Sequence, residues 1–172
     1  MKIVIVGTGY VGLVTGSCLA EIGHKVTCID IDKSKISSLR KSIVPFFEPG
    51  LEAIVKKQQK KNNLIFTSSY KSALEDCEAI FLCVGTPPKK NGSPNLSYLE
   101  QSLISISKDI NRSIVIFIKS TVPVGTNKYA AKFFQELDVR GKHKVTFASN
   151  PEFLKEGDAV NDFKKPERII IG

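Results

Sequence analysis

The 172-residue sequence predicts an α/β fold, a doubly wound and mainly parallel sheet with helices on both faces. Short apolar runs rich in β-branched residues recur along the chain, and segments of helical period separate them. Several runs are apolar at nearly every position, as strands covered on both faces must be. Strands that alternate with helices in this way build right-handed βαβ units.

The first run, Lys2–Val6, leads into a helical stripe of Val11, Val14, Cys18 and Ile22. The second run is Lys25–Asp30. Asp32 then stands where a short side-chain oxygen caps a helix over Lys33–Lys41. Runs at Leu64–Thr67 and Ala79–Val84 follow. Leu96, Leu99, Leu103, Ile106 and Ile110 step by three and four residues, which makes one face of a helix. Ser97 with Glu100 reads as a capping box at its start. A fifth run, Ser113–Ile118, precedes a stripe of Ala130, Phe133, Phe134 and Leu137, and Lys144–Ala148 and Arg168–Ile171 complete the strand set. Two loops interrupt the rhythm, Thr86–Asn95 and Ser149–Gly157. Each leaves a strand at the end where open parallel sheets carry their ligands.

Composition narrows the function classes. Apolar residues at 42% and charged residues at 24% are ordinary globular values, which exclude disorder, collagen and coiled coil. There is no apolar run of about 18 residues and no secretory signal, so neither a membrane partner nor export is expected and a cytoplasmic placement is. The net charge of +8 invites a nucleic-acid reading, but eight basic residues against two acids between Lys33 and Lys61 hold most of it. No aromatic residues interleave with Lys56–Lys61, so a solvated helix end is expected there and no nucleic-acid partner. Cys18, Cys28, Cys77 and Cys83 form no C-x-x-C pair, and with two histidines no metal site is expected.

Gly7-Thr8-Gly9-Tyr10-Val11-Gly12 follows the first strand and opens the first helix. In this context Gly7 permits a tight turn, Gly9 lets a pyrophosphate reach the backbone, and Gly12 allows close helix–strand packing. The helix N-terminus offers free N–H groups to phosphates. Asp30 ends the second strand 18 residues after Gly12, placed to bond ribose hydroxyls and to repel the 2′-phosphate of NADP. The expectation is therefore a Rossmann-like domain that binds NAD. Lys35 is either a solvated helix lysine or a second ribose contact.

Lys119-Ser120-Thr121-Val122-Pro123-Val124-Gly125-Thr126 places hydroxyls at the end of the fifth strand. They either line a nicotinamide pocket or cap the next helix. Asn150–Gly157 carries Glu152 and Glu156. If that segment is helical the two acids share a face, where like charge raises one pKa and creates a base. A solvated surface pair is the alternative.

Five segments in order, K-I-V-I-V-G-T-G-Y-V-G-L-V-T-G, P-F-F-E-P-G-L (Pro45–Leu51), C-V-G-T-P (Cys83–Pro87), K-S-T-V-P-V-G-T and N-P-E-F-L-K-E-G, resemble the NAD-binding domain of the UDP-glucose/GDP-mannose dehydrogenases. The tail A-V-N-D-F-K-K-P-E-R-I-I-I-G is more similar to the UDP-glucose 6-dehydrogenase branch. The resemblance covers residues 1–172 and implies a four-electron oxidation of the sugar C6 alcohol to a carboxylate, with two NAD⁺ reduced in turn. It implies that Gly7, Gly9, Tyr10, Val11 and Gly12 hold the pyrophosphate and that Asp30 and Lys35 take the adenosine ribose. It further implies that Thr86 and Thr121 line the cofactor cleft, that Thr121 orients a catalytic water and that Glu152 acts as base through it. Glu156 would lie against the nicotinamide half, and Glu152, Phe153, Leu154, Lys155 and Glu156 would form a substrate-side loop.

Enzymes of this family continue into a central helix and a nucleotide-sugar domain that supplies a catalytic cysteine, a lysine, an asparagine and an aspartate. None of these is expected within residues 1–172. The whole chain is thus read as one NAD-binding domain that holds cofactor without turning over UDP-glucose, and whose parent protein forms a homodimer or larger assembly. Without its second domain, exposed apolar surface is expected to drive self-association. GDP-mannose or another nucleotide sugar is the alternative substrate, and a stand-alone NAD-sensing module the alternative role.

Overall fold

The segment Lys-Ile-Val-Ile-Val shows how the sheet is made: its side chains alternate between two apolar cores, Ile3 and Ile5 to one face, Val4 and Val6 to the other. In the computed structural model, which describes residues 1–137 and 143–172, this segment is strand β1 (Lys2–Val6). Around it lie β2 (Lys25–Ile29), β3 (Leu64–Thr67), β4 (Ala79–Leu82), β5 (Ile114–Ile118) and β6 (Val145–Ser149). The order is β3-β2-β1-β4-β5-β6, and every strand pairing is parallel. The sheet is therefore wholly rather than mainly parallel among the described residues.

Two helical layers cover it. Helices α1 (Tyr10–Ile22), α2 (Lys33–Arg40), α3 (Leu51–Lys60) and α7 (Ala159–Lys164) pack Leu13, Val14, Leu39, Val55 and Val160 against Ile5, Cys28 and Phe66. On the opposite face α4 (Tyr70–Leu74), α5 (Ser97–Asp109) and α6 (Thr126–Leu137) pack Leu74, Leu103, Ile106 and Phe134 against Val6, Ile80, Leu82 and Ile116. Each such fully buried side chain contributes about 1.5–3 kcal/mol relative to exposure. The chain reverses strand order between β1 and β4, so the turns after these two strands flank a crevice.

Asp32 caps α2 as expected, its carboxylate accepting from the Ser34 and Lys35 amides. Lys56, Lys57, Lys60 and Lys61 lie exposed on α3 and just after it, the solvated helix end that their pattern suggested. Three local expectations fail. Ser97 and Glu100 make no capping box: Asn95 accepts the Ser97 amide at 3.0 Å, and Glu100 instead accepts the Tyr129 hydroxyl at 2.6 Å. Ile22 does not complete the buried stripe of α1 and is 66% exposed. Arg168–Ile171 forms no strand. Its Ile169, Ile170 and Ile171 are exposed, and only Gly172 exchanges backbone bonds with Ser149, so the apolar run alone did not suffice to place it in the sheet. No helix among the described residues is long and apolar enough to cross a membrane.

Candidate functional site

The turn after β1 is shaped by what its glycines lack. Gly7 has φ +96°, and its N–H donates to the Ile29 carbonyl at 2.8 Å. A Cβ on Gly12 would stand 1.9 Å from the Gly7 carbonyl oxygen, so only glycine lets α1 lie this close to β1. Gly9 differs: a Cβ there would meet nothing within 4 Å. Gly9 also stands at the N-cap of the 13-residue α1 without a side-chain cap, so amides of the first turn stay available to a ligand.

Asp30 projects from the end of β2, with its side chain only 10% exposed. Its Oδ2 accepts from the Thr8 amide at 2.9 Å, the Thr8 hydroxyl at 2.7 Å and the Lys35 ammonium at 3.0 Å, while Oδ1 accepts from the Asp32 amide at 3.0 Å. Burial alone would raise its pKa. The bonds from Asp32, Thr8 and Lys35 outweigh burial and hold the carboxyl below its ordinary value. Lys35 is thus a paired residue of the site rather than a solvated helix lysine.

Gly7, Gly9, Asp30, Lys35 and Cys83–Gly85 line one cavity of about 460 Å³ at the β1/β4 crevice. Its features fit a dinucleotide: free helix amides for a diphosphate, open space at Gly9, and an ionised carboxylate for vicinal hydroxyls. Tyr10 and Val11 are half-buried in the first turn of α1, and Val11 packs on the core beneath.

The other candidate residues lie on the loops after β4, β5 and β6. The Thr86 hydroxyl donates to the Thr121 carbonyl at 2.7 Å, which ties two of these loops together, and Thr121 itself is exposed. Ser120 and Thr126 donate their hydroxyls to the carbonyls of Val84 and Pro123, at 2.6 Å and 2.7 Å. Glu152–Glu156 is not helical, so the shared face considered for its two acids does not exist. Glu152 folds back to accept the Leu154 amide at 2.7 Å. Glu152, Phe153, Leu154 and Lys155 line a second cavity of about 580 Å³ together with Lys119 and Asn150. Leu154 packs on the core, Arg168 stacks its guanidinium 4.6 Å from the Phe153 ring centre, and Lys155 pairs with Asp162 at 3.2 Å. Glu156 is exposed and lines neither cavity.

Two residues escaped the sequence reading. Lys119 is 7% exposed and donates to Asn150 Oδ1 at 3.2 Å, and burial lowers its pKa. Glu48 is 4% exposed and accepts the Tyr10 hydroxyl. The signal available for Glu48 was an acid inside the aromatic and proline-rich run Pro45–Leu51. All four cysteines are buried unpaired thiols, and among the described residues no three His, Cys, Asp or Glu side chains converge as a metal site.

Comparison with known proteins agrees with this geometry. The chain is 47% identical over 172 residues to UDP-glucose 6-dehydrogenase YwqF of Bacillus subtilis, matching 100% of this chain and 39% of that protein. It superposes on a UDP-glucose dehydrogenase from the hyperthermophilic archaeon Pyrobaculum islandicum with a TM-score of 0.93 at 37% identity, covering 99% of this chain and 40% of that one. A GDP-mannose dehydrogenase from Pseudomonas aeruginosa gives a TM-score of 0.92 at 34% identity, with 100% and 41% covered. The chain thus spans about two fifths of the length of these relatives. The family model for the NAD binding domain matches residues 1–172, and the chain belongs to the UDP-glucose/GDP-mannose dehydrogenase family as that domain.

Proposed function

We propose that this domain is the NAD-binding part of a protein that oxidises UDP-glucose at C6 to UDP-glucuronate, consuming one water and reducing two NAD⁺. The observation that carries this reading is the cavity at the β1/β4 crevice, where the Gly7–Gly12 turn and the ionised Asp30 meet. Gly9 and the first-turn amides of α1 would receive the pyrophosphate, and Asp30 with Lys35 the adenosine ribose. When bound, NAD⁺ accepts the hydride from the carbon being oxidised. UDP-glucose is favoured over GDP-mannose by 47% identity to UDP-glucose 6-dehydrogenase YwqF and, among solved structures, by 37% identity to a UDP-glucose dehydrogenase against 34% to a GDP-mannose dehydrogenase.

In this reading Thr86 and Thr121 border the nicotinamide end of the cleft and Glu156 lies against its face. Thr121 orients a water, and Glu152 takes that water's proton. The substrate rests on the loop from Glu152 through Phe153, Leu154 and Lys155 to Glu156. The tie between Thr86 and Thr121 supports a shared role, and Glu152 lines the same cavity as the buried Lys119. The parent protein would be a cytoplasmic homodimer or larger assembly, a setting that suits four free thiols.

Residues 1–172 alone would bind NAD⁺ without turnover, because burial leaves them no activated thiol. It pushes Cys18 and Cys83 up to about 12 and Cys77 up to about 11, and raises Cys28 as well. Absorbance at 340 nm tests both halves of the proposal. The full reading frame should form two NADH per UDP-glucose, and residues 1–172 none. Turnover of GDP-mannose but not UDP-glucose by the full protein would contradict the substrate. NADH formation by the 172-residue chain would contradict the division of labour.

A further inference from the structure

Glu48 is a buried carboxylate without an ion-pair partner among the described residues. Burying such a charge is costly unless hydrogen-bond donors replace water. Its three donors come from two stretches far from it in sequence, the start of α1 and residues 157–160. The Tyr10 hydroxyl, in the first turn of α1, donates to Oε2. The Gly157 amide, at the end of the loop after β6, donates to Oε2 at 2.9 Å. The Val160 amide in α7 reaches Oε1 at 3.5 Å.

Further contacts close the arrangement. The Tyr10 oxygen lies 3.2 Å from both the Lys155 carbonyl and the Gly157 amide. The Tyr10 ring packs on Phe46 with centroids 5.1 Å apart, which fixes the hydroxyl's direction from the same segment that supplies Glu48. Tyr10 immediately follows Gly9, and Gly157 immediately follows Glu156. One carboxylate therefore joins the phosphate-binding turn to the end of the loop that carries Glu152 and Glu156.

We infer that Glu48 is a positioning residue that latches the Glu152–Gly157 loop to the phosphate-binding turn through Tyr10, so that NAD binding and loop order reinforce each other. The latch is a feature of the fold, while its coupling to NAD rests on the function proposed above. A ligand that stiffens the Gly9–Tyr10 turn stiffens the loop by the same linkage, and the effect is reciprocal. The site prefers a carboxylate because Gly157 and Val160 donate to different oxygens, and a carboxamide would keep one acceptor and set its N–H groups against one of the two amides.

Residue-resolved amide hydrogen exchange on this chain, with and without saturating NAD⁺, tests the latch in wild type, Glu48→Gln and Tyr10→Phe. In Glu48→Gln the Gly157 and Val160 amides should exchange at least tenfold faster, while the sheet amides of Ile5 and Leu82 keep their rates. NAD⁺ should slow Gly157 exchange in wild type and fail to do so in Glu48→Gln. Tyr10→Phe removes only a hydroxyl, keeps the ring against Phe46, and should reproduce the loss of coupling even if Glu48→Gln does not fold. Wild-type exchange at Gly157 in both variants would overturn the latch. Equal acceleration of sheet and loop amides, the mark of a purely structural carboxylate, would overturn it too. If wild type binds no NAD⁺, the functional proposal and the coupling fall, and the ligand-free comparison still decides the latch.

Discussion

The Lys35 ammonium stands 3.0 Å from Asp30 Oδ2, inside the cavity that both residues line. The pair holds a carboxylate ionised at the end of β2, turned toward the Gly7–Gly12 turn by two bonds from Thr8. Its balance of charge bears on cofactor choice. Asp30 repels a 2′-phosphate, and Lys35 softens that repulsion. Lys35→Met should weaken NAD⁺ binding only about fivefold, the value of a partly exposed ion pair near 1 kcal/mol. It should weaken NADP⁺ binding more than NAD⁺ binding. Calorimetric titration of both dinucleotides checks this, and improved NADP⁺ binding in the variant would contradict the assignment.

Gly9 and Gly12 should separate function from folding. A Cβ on Gly9 meets open space, so Gly9→Ala should fold with less than about 1 kcal/mol lost, the cost of an alanine at an N-cap, yet bind NAD⁺ at least tenfold more weakly. A Cβ on Gly12 meets the Gly7 carbonyl at 1.9 Å, so Gly12→Ala should lose about 3 kcal/mol or more. Thermal melts paired with NAD⁺ titrations give both readouts.

Acid should destabilise the domain in a defined window. Asp30 and Glu48 both have folded-state pKa values below the ordinary carboxylate range, because bonds to the ionised forms outweigh burial. Groups lowered in this way contribute stability that is complete above the unfolded-state pKa of about 4 and is lost as pH falls through the lowered value. Melting temperature should therefore hold from about pH 7 to pH 5 and fall below about pH 4. Glu48→Gln should start lower at neutral pH and show a shallower acid limb.

Thiol chemistry should report the fold. With the four cysteines buried and their pKa values raised, the native chain should resist alkylation at neutral pH. Mass spectrometry after iodoacetamide should show no adduct on native protein and four adducts in denaturant. Rapid labelling of the native protein would contradict the packing around Cys18, Cys28, Cys77 and Cys83.

Where one physical pattern dominated, the sequence was readable. Apolar runs marked six strands, the central ones buried on both faces as parallel strands are, and the Gly7–Gly12 turn followed by Asp30 pointed to the crevice where a cavity lies because each residue there has a steric or electrostatic reason. Where two local partners competed, it misled. Ser97 and Glu100 have capping chemistry, yet Asn95 takes the amide and Tyr129 takes the acid. Arg168–Ile171 has the composition of a strand but is not paired as one. The spacing of Glu152 and Glu156 suggested a helix face, while the chain there is an irregular loop in which Glu152 accepts the Leu154 amide and a turn follows at 156–158. Glu48 was hidden for another reason: its three donors lie 38, 109 and 112 residues away, and no local pattern encodes that convergence.

The central claim is that the β1/β4 crevice binds NAD through the glycine turn and Asp30. Isothermal titration of NAD⁺ into wild type and Asp30→Ala tests it most directly. Wild type should bind one NAD⁺ per chain. Asp30→Ala should remain folded and bind about 10- to 100-fold more weakly, as expected from about 1.5–3 kcal/mol lost with hydrogen bonds to a charged group. No saturable NAD⁺ binding by the folded wild type, or the same affinity in Asp30→Ala, would contradict the claim.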